Sequence, residues 1–282
     1  GAKLPLTKSF EPMAYAFAIP NNTPGLKFYC RDSFVGGESS FNHPLSSQFE
    51  EMDTIVVFDH VLVPWERVFL NGNINVNNRI YHDSGFFSHT THLVIAKDII
   101  KIESLLGLMK TIIETISIGE YQHIHDKVSE VIVGLEAMKG FIYASEKNAK
   151  INHWGVLTPD ETPLQAATLF YAKFYPRMIE IIQLLGASGL VATPTEQDFR
   201  SEGGEDLRHY LQTSTVNGEE KVRLFRLAWD STMSAFGTRQ VLYERFFFGD
   251  PIKLASNLFK AYQTKEYEDR IHSFLKANDN DA

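Results

Sequence analysis

Phe58-Asp59-His60-Val61-Leu62-Val63-Pro64-Trp65-Glu66-Arg67 closes a β-like stretch, and Gln183-Leu184-Leu185-Gly186-Ala187-Ser188-Gly189 lies inside a long helical region. Between these two segments the hydrophobic period changes once, and that change sets the fold class. Residues 13–70 read as β. Met13 to Ile19 and Leu26 to Phe34 are short aromatic or aliphatic runs, parted by the turn formers Pro20-Asn21-Asn22-Thr23-Pro24-Gly25. Gly36-Gly37 interrupts the pattern, and Thr54 to Phe58 is a continuous β-branched run, expected to be a buried strand.

From about residue 76 the period is helical. Ile99, Ile102, Leu105, Leu106, Met109, Ile112, Ile113 and Ile116 recur at three- and four-residue spacing over 97–118. Ile100 and Leu108 widen the stripe, so this helix is expected to be covered on more than one side. A second helix is expected over 121–152, with Val128, Ile132, Leu135, Met138 and Ile142 facing inward. A third should start after Thr158-Pro159-Asp160-Glu161, with Thr158 as cap, proline at the first helical position and Glu161 completing a capping box. It runs towards Leu190, and Pro176 should kink it. Asn217-Gly218-Glu219-Glu220 opens a fourth, through Trp229 to about Phe247, and Asp250-Pro251 opens a last one ending near Leu275. The polar tail from Ala277 to Ala282 should fray. The fold class is therefore α+β: a β-segment over 1–75, then an antiparallel helical bundle over 76–282.

Composition removes several function classes. The 282 residues are 44% hydrophobic, enough for a large core, and a net charge of -8 does not suit a nucleic-acid surface. Cys30 is the single cysteine, so one chain can build neither a disulfide framework nor a multi-thiolate metal site. No apolar run is long enough to cross a bilayer and no signal segment opens the chain, so a cytoplasmic protein is expected. His89 and His92 share a helical face without a His-Glu-x-x-His motif or acidic cluster, which argues for ordinary polar histidines and no metal. His123 and His125 lie two apart and do not face each other. Phe246-Phe247-Phe248 reads as core or subunit interface.

Two groups of residues suit a nucleotide. In Gln183 to Gly189 the glycines let a backbone approach a phosphate, or alternatively close a helix or a tight helix crossing. In Phe236-Gly237-Thr238-Arg239-Gln240 an open backbone, a hydroxyl, a fixed cation and an amide would serve pyrophosphate or adenine, or alternatively form an ordinary helix surface. Glycine inside a helix costs about 1 kcal/mol against alanine, so Gly237 should have a specific use. The chain has no Gly-x-Ser-x-Gly elbow, Walker loop or Gly-x-Gly-x-x-Gly fingerprint.

The Val-x-Val-Pro exit and the Gln-x-x-Gly-x-x-Gly turn together resemble the acyl-CoA-dehydrogenase-like flavoproteins. Phe17-Ala18-Ile19-Pro20-Asn21-Asn22-Thr23-Pro24-Gly25-Leu26-Lys27-Phe28, His43-Pro44-Leu45-Ser46-Ser47-Gln48-Phe49 and Leu242-Tyr243-Glu244-Arg245-Phe246-Phe247-Phe248-Gly249-Asp250-Pro251 resemble the 4-hydroxyphenylacetate 3-hydroxylase family within that fold. The resemblance implies part of a β-barrel or sandwich ahead of the bundle. It implies FAD, received reduced from a separate NADH-dependent flavin reductase, with O2 and a phenol as co-substrates. It places Gln183, Gly186, Ser188 and Gly189 at the dinucleotide of a neighbouring subunit's FAD, with Gly237, Thr238, Arg239 and Gln240 as a second contact group. A homotetramer is expected from the many-sided apolar helix 97–118 together with Phe246-Phe247-Phe248.

The same resemblance puts the phenol-binding Arg, Tyr and His upstream of Gly1, so no catalytic residue is named and the isolated chain is expected to be inactive. Gly1-Ala2-Lys3 has no initiator methionine, and Lys3 to Met13 is shorter than the family's strand–turn–strand, as though a segment were missing near Lys8. Two rivals remain. The related 4-hydroxybutyryl-CoA dehydratase holds an iron–sulfur cluster, but Ala96 stands after His89 where a ligand cysteine is needed. The other is a non-catalytic helical oligomerisation module.

Overall fold

Tyr15–Phe17 (β1) and Leu26–Cys30 (β2) flank the expected turn but do not pair with each other. The computed structural model describes residues 6–279, and expectations about Gly1 to Lys3 and the last three residues lie outside them. A short helix, Ser46–Phe49 (α1), precedes Thr54–Phe58 (β3) and Val68–Asn71 (β4). β2 pairs antiparallel with β3, from Leu26 opposite Phe58 to Cys30 opposite Thr54, and β1 pairs with β4, so one two-stranded ribbon nests inside the other. Gly25 permits the close: its φ is +85° and a Cβ there would lie 2.2 Å from the Asp59 carbonyl oxygen.

β3 has the expected bounds but is not buried. Every residue of it is exposed, Ile55 at 71%, because among the described residues the ribbon is only two strands wide. The Val61–Pro64 exit is not strand either; Pro64 leads into a single 3-10 turn, Trp65–Arg67.

Helices follow: Ile74–Asp83 (α2), Phe86–Thr115 (α3) and Gln122–Lys147 (α4). α4 stops short of residue 152 because Lys150–Ile151 (β5) and Leu157–Thr158 (β6) form a small hairpin. Glu161–Gly186 (α5) then runs through Pro176. Its cap is Asp160, whose carboxylate accepts the Thr162 N–H at 3.0 Å. Thr158, the expected cap, instead sits in β6, where its hydroxyl bonds Asn152.

Glu196–Phe199 (α6) and Gly204–Leu211 (α7) come before Gly218–Thr232 (α8), Ala235–Phe246 (α9), Pro251–Ala261 (α10) and Lys265–Asp279 (α11). Asn217 does cap α8, in a capping box with Glu220. The expected single helix to Phe247 breaks at Met233-Ser234, because Ser234 caps a new helix by accepting the Gly237 N–H at 3.0 Å. The last helix likewise breaks at Tyr262, which is extended (φ -71°, ψ 128°).

α5 packs against α3, α4, α8, α9 and α10. Ile95, Ile102, Met109 and Ile112 of α3, Val131 and Met138 of α4, and Leu164, Met178, Ile181 and Ile182 of α5 make the centre of the core. Ile132, expected inward, is 45% exposed, and Val131 takes its place. The phase is set by Gly134, where a Cβ would lie 2.1 Å from Phe174 Cζ: α4 can approach α5 only at a residue without a side chain. Gly134→Ala is expected to lose about 1–3 kcal/mol of stability through overpacking. A denaturant midpoint equal to wild type would show that Phe174 can move aside.

Candidate functional site

The first expected contact group sits where α5 ends. Ala187 adopts φ 45°, ψ -138°, an unusual conformation for a residue with a side chain, and its N–H bonds the Gln183 carbonyl. The chain then makes one 3-10 turn, Ala187–Leu190, and leaves through Thr193 and Pro194, whose carbonyls accept from Arg226 at 2.5 and 3.2 Å. The glycines here serve packing. A Cβ on Gly186 would lie 2.6 Å from Leu190 Cγ, and one on Gly189 would lie 2.7 Å from Phe225 Cε1 of α8. The space into which a side chain at either position would project is filled by buried Leu190 and Phe225. The Gln183 amide and the exposed Ser188 hydroxyl make no hydrogen bond to other described residues.

The second group opens α9. A Cβ on Gly237 would lie 2.7 Å from the Thr232 nitrogen and 2.8 Å from the Asp230 carbonyl oxygen, so this glycine is what lets α9 turn against the end of α8. Thr238 is exposed. Arg239 is not an open cation: it is 13% exposed and donates from Nε and Nη2 to both Asp53 oxygens at 2.6 Å. Asp53 also accepts from Arg31 Nε at 2.8 Å, and the Arg239 and Arg31 guanidinia hold its carboxyl far below the usual range. Arg239 therefore fastens α9 to the residue that leads into β3, with Nη1 buried and lacking an acceptor among the described residues. Nearby, buried Asp230 accepts the Leu45 and Ser46 N–H groups at 2.8 Å, seating the His43–Phe49 block on α8.

The structure thus brings the two groups onto one helix. Gly189 meets α8 at Phe225 and Gly237 meets it at Asp230–Thr232, roughly 8–10 Å further along its axis. Gln183, Ser188, Thr238 and Gln240 keep side-chain polar groups that bond no other described residue, which suits a ligand with several acceptors. The glycines and the Arg239 fork are committed to the protein itself.

Sequence reasoning missed the polar cluster beneath Gln240. Lys97 Nζ lies 2.7 Å from Asp98 Oδ1 and 2.7 Å from Glu244 Oε2, and Lys101 Nζ lies 2.6 Å from Glu244 Oε1. Lys101 also donates to Gln240 Oε1 at 2.8 Å. Tyr171 and Tyr175 of α5 close the floor, their rings 5.8 and 5.0 Å from the ammonium nitrogens of Lys97 and Lys101. Asp98 is 2% and Glu244 5% exposed. Burial pushes Asp98 up to about 6 against the pull of Lys97, and burial likewise raises Tyr171 and Tyr175. The available signal was three charged residues, Lys97, Asp98 and Lys101, set among Ile95, Ile99, Ile100 and Ile102 of the helix. The expected histidine pair is separate: His92 bonds Glu146 at 2.8 Å.

Residues 77–276 match the family model described as 4-hydroxyphenylacetate 3-hydroxylase C terminal, and residues 2–70 match the corresponding N-terminal model. The chain belongs to the 4-hydroxyphenylacetate 3-hydroxylase family. It is 53% identical over 265 residues to the probable 4-hydroxyphenylacetate 3-monooxygenase of Bacillus subtilis (strain 168), spanning 94% of this chain and 55% of that protein. It is similar to the crystal structure of the oxygenase component of 4-hydroxyphenylacetate 3-monooxygenase complexed with FAD and 4-hydroxyphenylacetate. That match has a TM-score of 0.92 and 47% identity, over 95% of this chain and 56% of the other. An archaeal 4-hydroxybutyryl-CoA dehydratase from N. maritimus superposes with a TM-score of 0.84 at 20% identity, over 97% of this chain and 55% of that one, and so shares the fold alone. No helix of the described residues is long and apolar enough to cross a membrane.

Asp98 gives a pH test of the buried cluster. Its carboxyl is held above its unfolded value, so between about pH 4 and 6 the folded state keeps a proton that the unfolded chain has released. Stability must then fall as pH rises through that window. Asp98→Asn is expected to flatten this slope and to gain on the order of 1–3 kcal/mol relative to wild type at pH 7 compared with pH 4. Thermal midpoints across pH 4–7 check it; an equally steep slope in the variant would move the effect to another group.

Proposed function

We propose that this chain is part of the oxygenase component of a two-component flavin-dependent monooxygenase. It would hydroxylate 4-hydroxyphenylacetate ortho to the phenol, giving 3,4-dihydroxyphenylacetate with FADH2 and O2. The observation that carries the reading is the 47% identity and 0.92 TM-score to an oxygenase component holding both FAD and 4-hydroxyphenylacetate. A separate NADH-dependent flavin reductase would supply the reduced FAD, in the cytoplasm. The division at residue 75/76 into a portion of a β-barrel or sandwich domain and a helical domain is supported by the family matches, which change over between residues 70 and 77.

Gln183, Ser188, Thr238 and Gln240 would hold the cofactor. Their hydroxyls and amides supply donors to phosphate, ribityl or ring acceptors, while Gly186, Gly189, Gly237 and Arg239 shape the backbone that presents them. FAD, when bound reduced, supplies the electrons for oxygen insertion; the protein's part is to bind, orient and exclude water. α8 is the common floor, since both turns close against it. A homotetramer is supported by apolar surface that one bundle leaves open, including Leu93, Ile100 and Phe246 and the Ile252, Phe259, Ile271 and Phe274 side chains of α10 and α11.

The test uses the full-length protein. Given a flavin reductase, NADH, O2 and a panel of phenols, it is expected to form 3,4-dihydroxyphenylacetate from 4-hydroxyphenylacetate in preference to products from other phenols. Hydrogen peroxide without catechol from any phenol would refute the activity. Light scattering at micromolar concentration is expected to give four subunits, and a stable monomer would remove the tetramer.

A further inference from the structure

Gln240 and Glu244 lie one turn apart on α9, and both face Lys101 of α3. An ammonium carries donors and no acceptor, so the Gln240 amide has one way to meet it: Oε1 towards Lys101 at 2.8 Å. That fixes the other end. The Nε2 group, with two donors, is turned away from the cluster, and no described residue accepts from it. Lys101 cannot drift, because Glu244 Oε1 holds it at 2.6 Å and the Tyr175 ring lies 5.0 Å from its nitrogen. Glu244 is itself held by Lys97 at 2.7 Å on its second oxygen. Arg239, next in the chain, is turned the other way onto Asp53.

We propose that Lys101 is a positioning residue for Gln240: by occupying the amide oxygen it commits the half-buried side chain to present only N–H donors outward, which selects an acceptor group of the bound ligand. The proposal deepens the reading of Gln240 as a flavin contact and rests on it. The acceptor chemistry is a phosphate oxygen, a ribityl hydroxyl or a ring nitrogen or carbonyl of reduced FAD. A group offering only donors would find no partner at this position.

The experiment is anaerobic titration of the full-length protein with reduced FAD, reading Kd, with the thermal midpoint of each variant measured alongside. Gln240→Ala should raise Kd about five- to tenfold, the loss of one hydrogen bond. Gln240→Glu keeps an oxygen for Lys101 but turns the outward donor into an acceptor, so it should raise Kd at least as far without a lower midpoint than Gln240→Ala. Lys101→Met should weaken binding to a similar extent, Lys101→Arg should restore it, and Lys101→Met added to Gln240→Ala should change Kd no further. Weakened binding in Gln240→Ala beside unaffected Lys101→Met, multiplying effects in the double variant, or wild-type affinity in Gln240→Glu would each overturn the proposal alone. An unchanged Kd in Gln240→Ala would overturn the flavin contact itself. The glutamate variant leaves the Lys101–Glu244 pair in place, so its result stands even if Lys101→Met folds poorly.

Discussion

A side chain at residue 237 would force backbone to move, and much of the arrangement around the candidate site follows from that. Gly237 lies so close to the last turn of α8 that a single carbon atom would strike backbone at 2.7 Å. The corner it permits turns α9 back along α3 and α5. Only in that course does Arg239 meet Asp53, Gln240 meet Lys101, and Glu244 meet both lysines. The same corner carries Asp230, which seats the His43–Phe49 block. One steric constraint thus sets the relation between the β ribbons and the bundle.

The long helices were legible because their stripes are long: α3 and α4 each bury residues at three- and four-residue spacing over more than twenty positions. Breaks within helices were not. Met233-Ser234 reads as ordinary helix, and only the tertiary approach of Gly237 gives Ser234 its capping role. The phase of α4 at Ile132 escapes the local pattern for a related reason. Hydrophobicity marks both Val131 and Ile132, but the closeness of Gly134 to Phe174 decides which one turns inward. β3 was identified by its β-branched run, yet burial depends on what packs against a ribbon, and that information is not local.

At the candidate site the sequence locates the glycine turns, and the fold adds a packing role to them. Open space beside a glycine and space already filled by a neighbour leave the same letter in the chain. Gly186 closes on Leu190 within its own turn, and Gly189 gives the tight crossing against Phe225 of α8. The two readings are compatible in one respect. A turn with Gly189 pressed against α8 and Gly186 against Leu190 must direct its remaining side chains elsewhere, and the Gln183 amide and Ser188 hydroxyl bond no other described residue. Rigid packing behind a turn is what gives its outward groups a defined direction.

The buried charges follow similar logic. A buried aspartate and glutamate beneath two partly exposed lysines carry a desolvation penalty, visible in the upward shift of Asp98 despite its neighbouring ammonium. Apolar residues of similar volume would pack α3 against α9 without that penalty, but they would tolerate sliding between the helices. A carboxylate shared between Lys97 and Lys101 does not, because moving α9 by one turn would leave Glu244 buried and unpaired. The cluster therefore sets the register between α3 and α9, and register is what decides where Gln240 points.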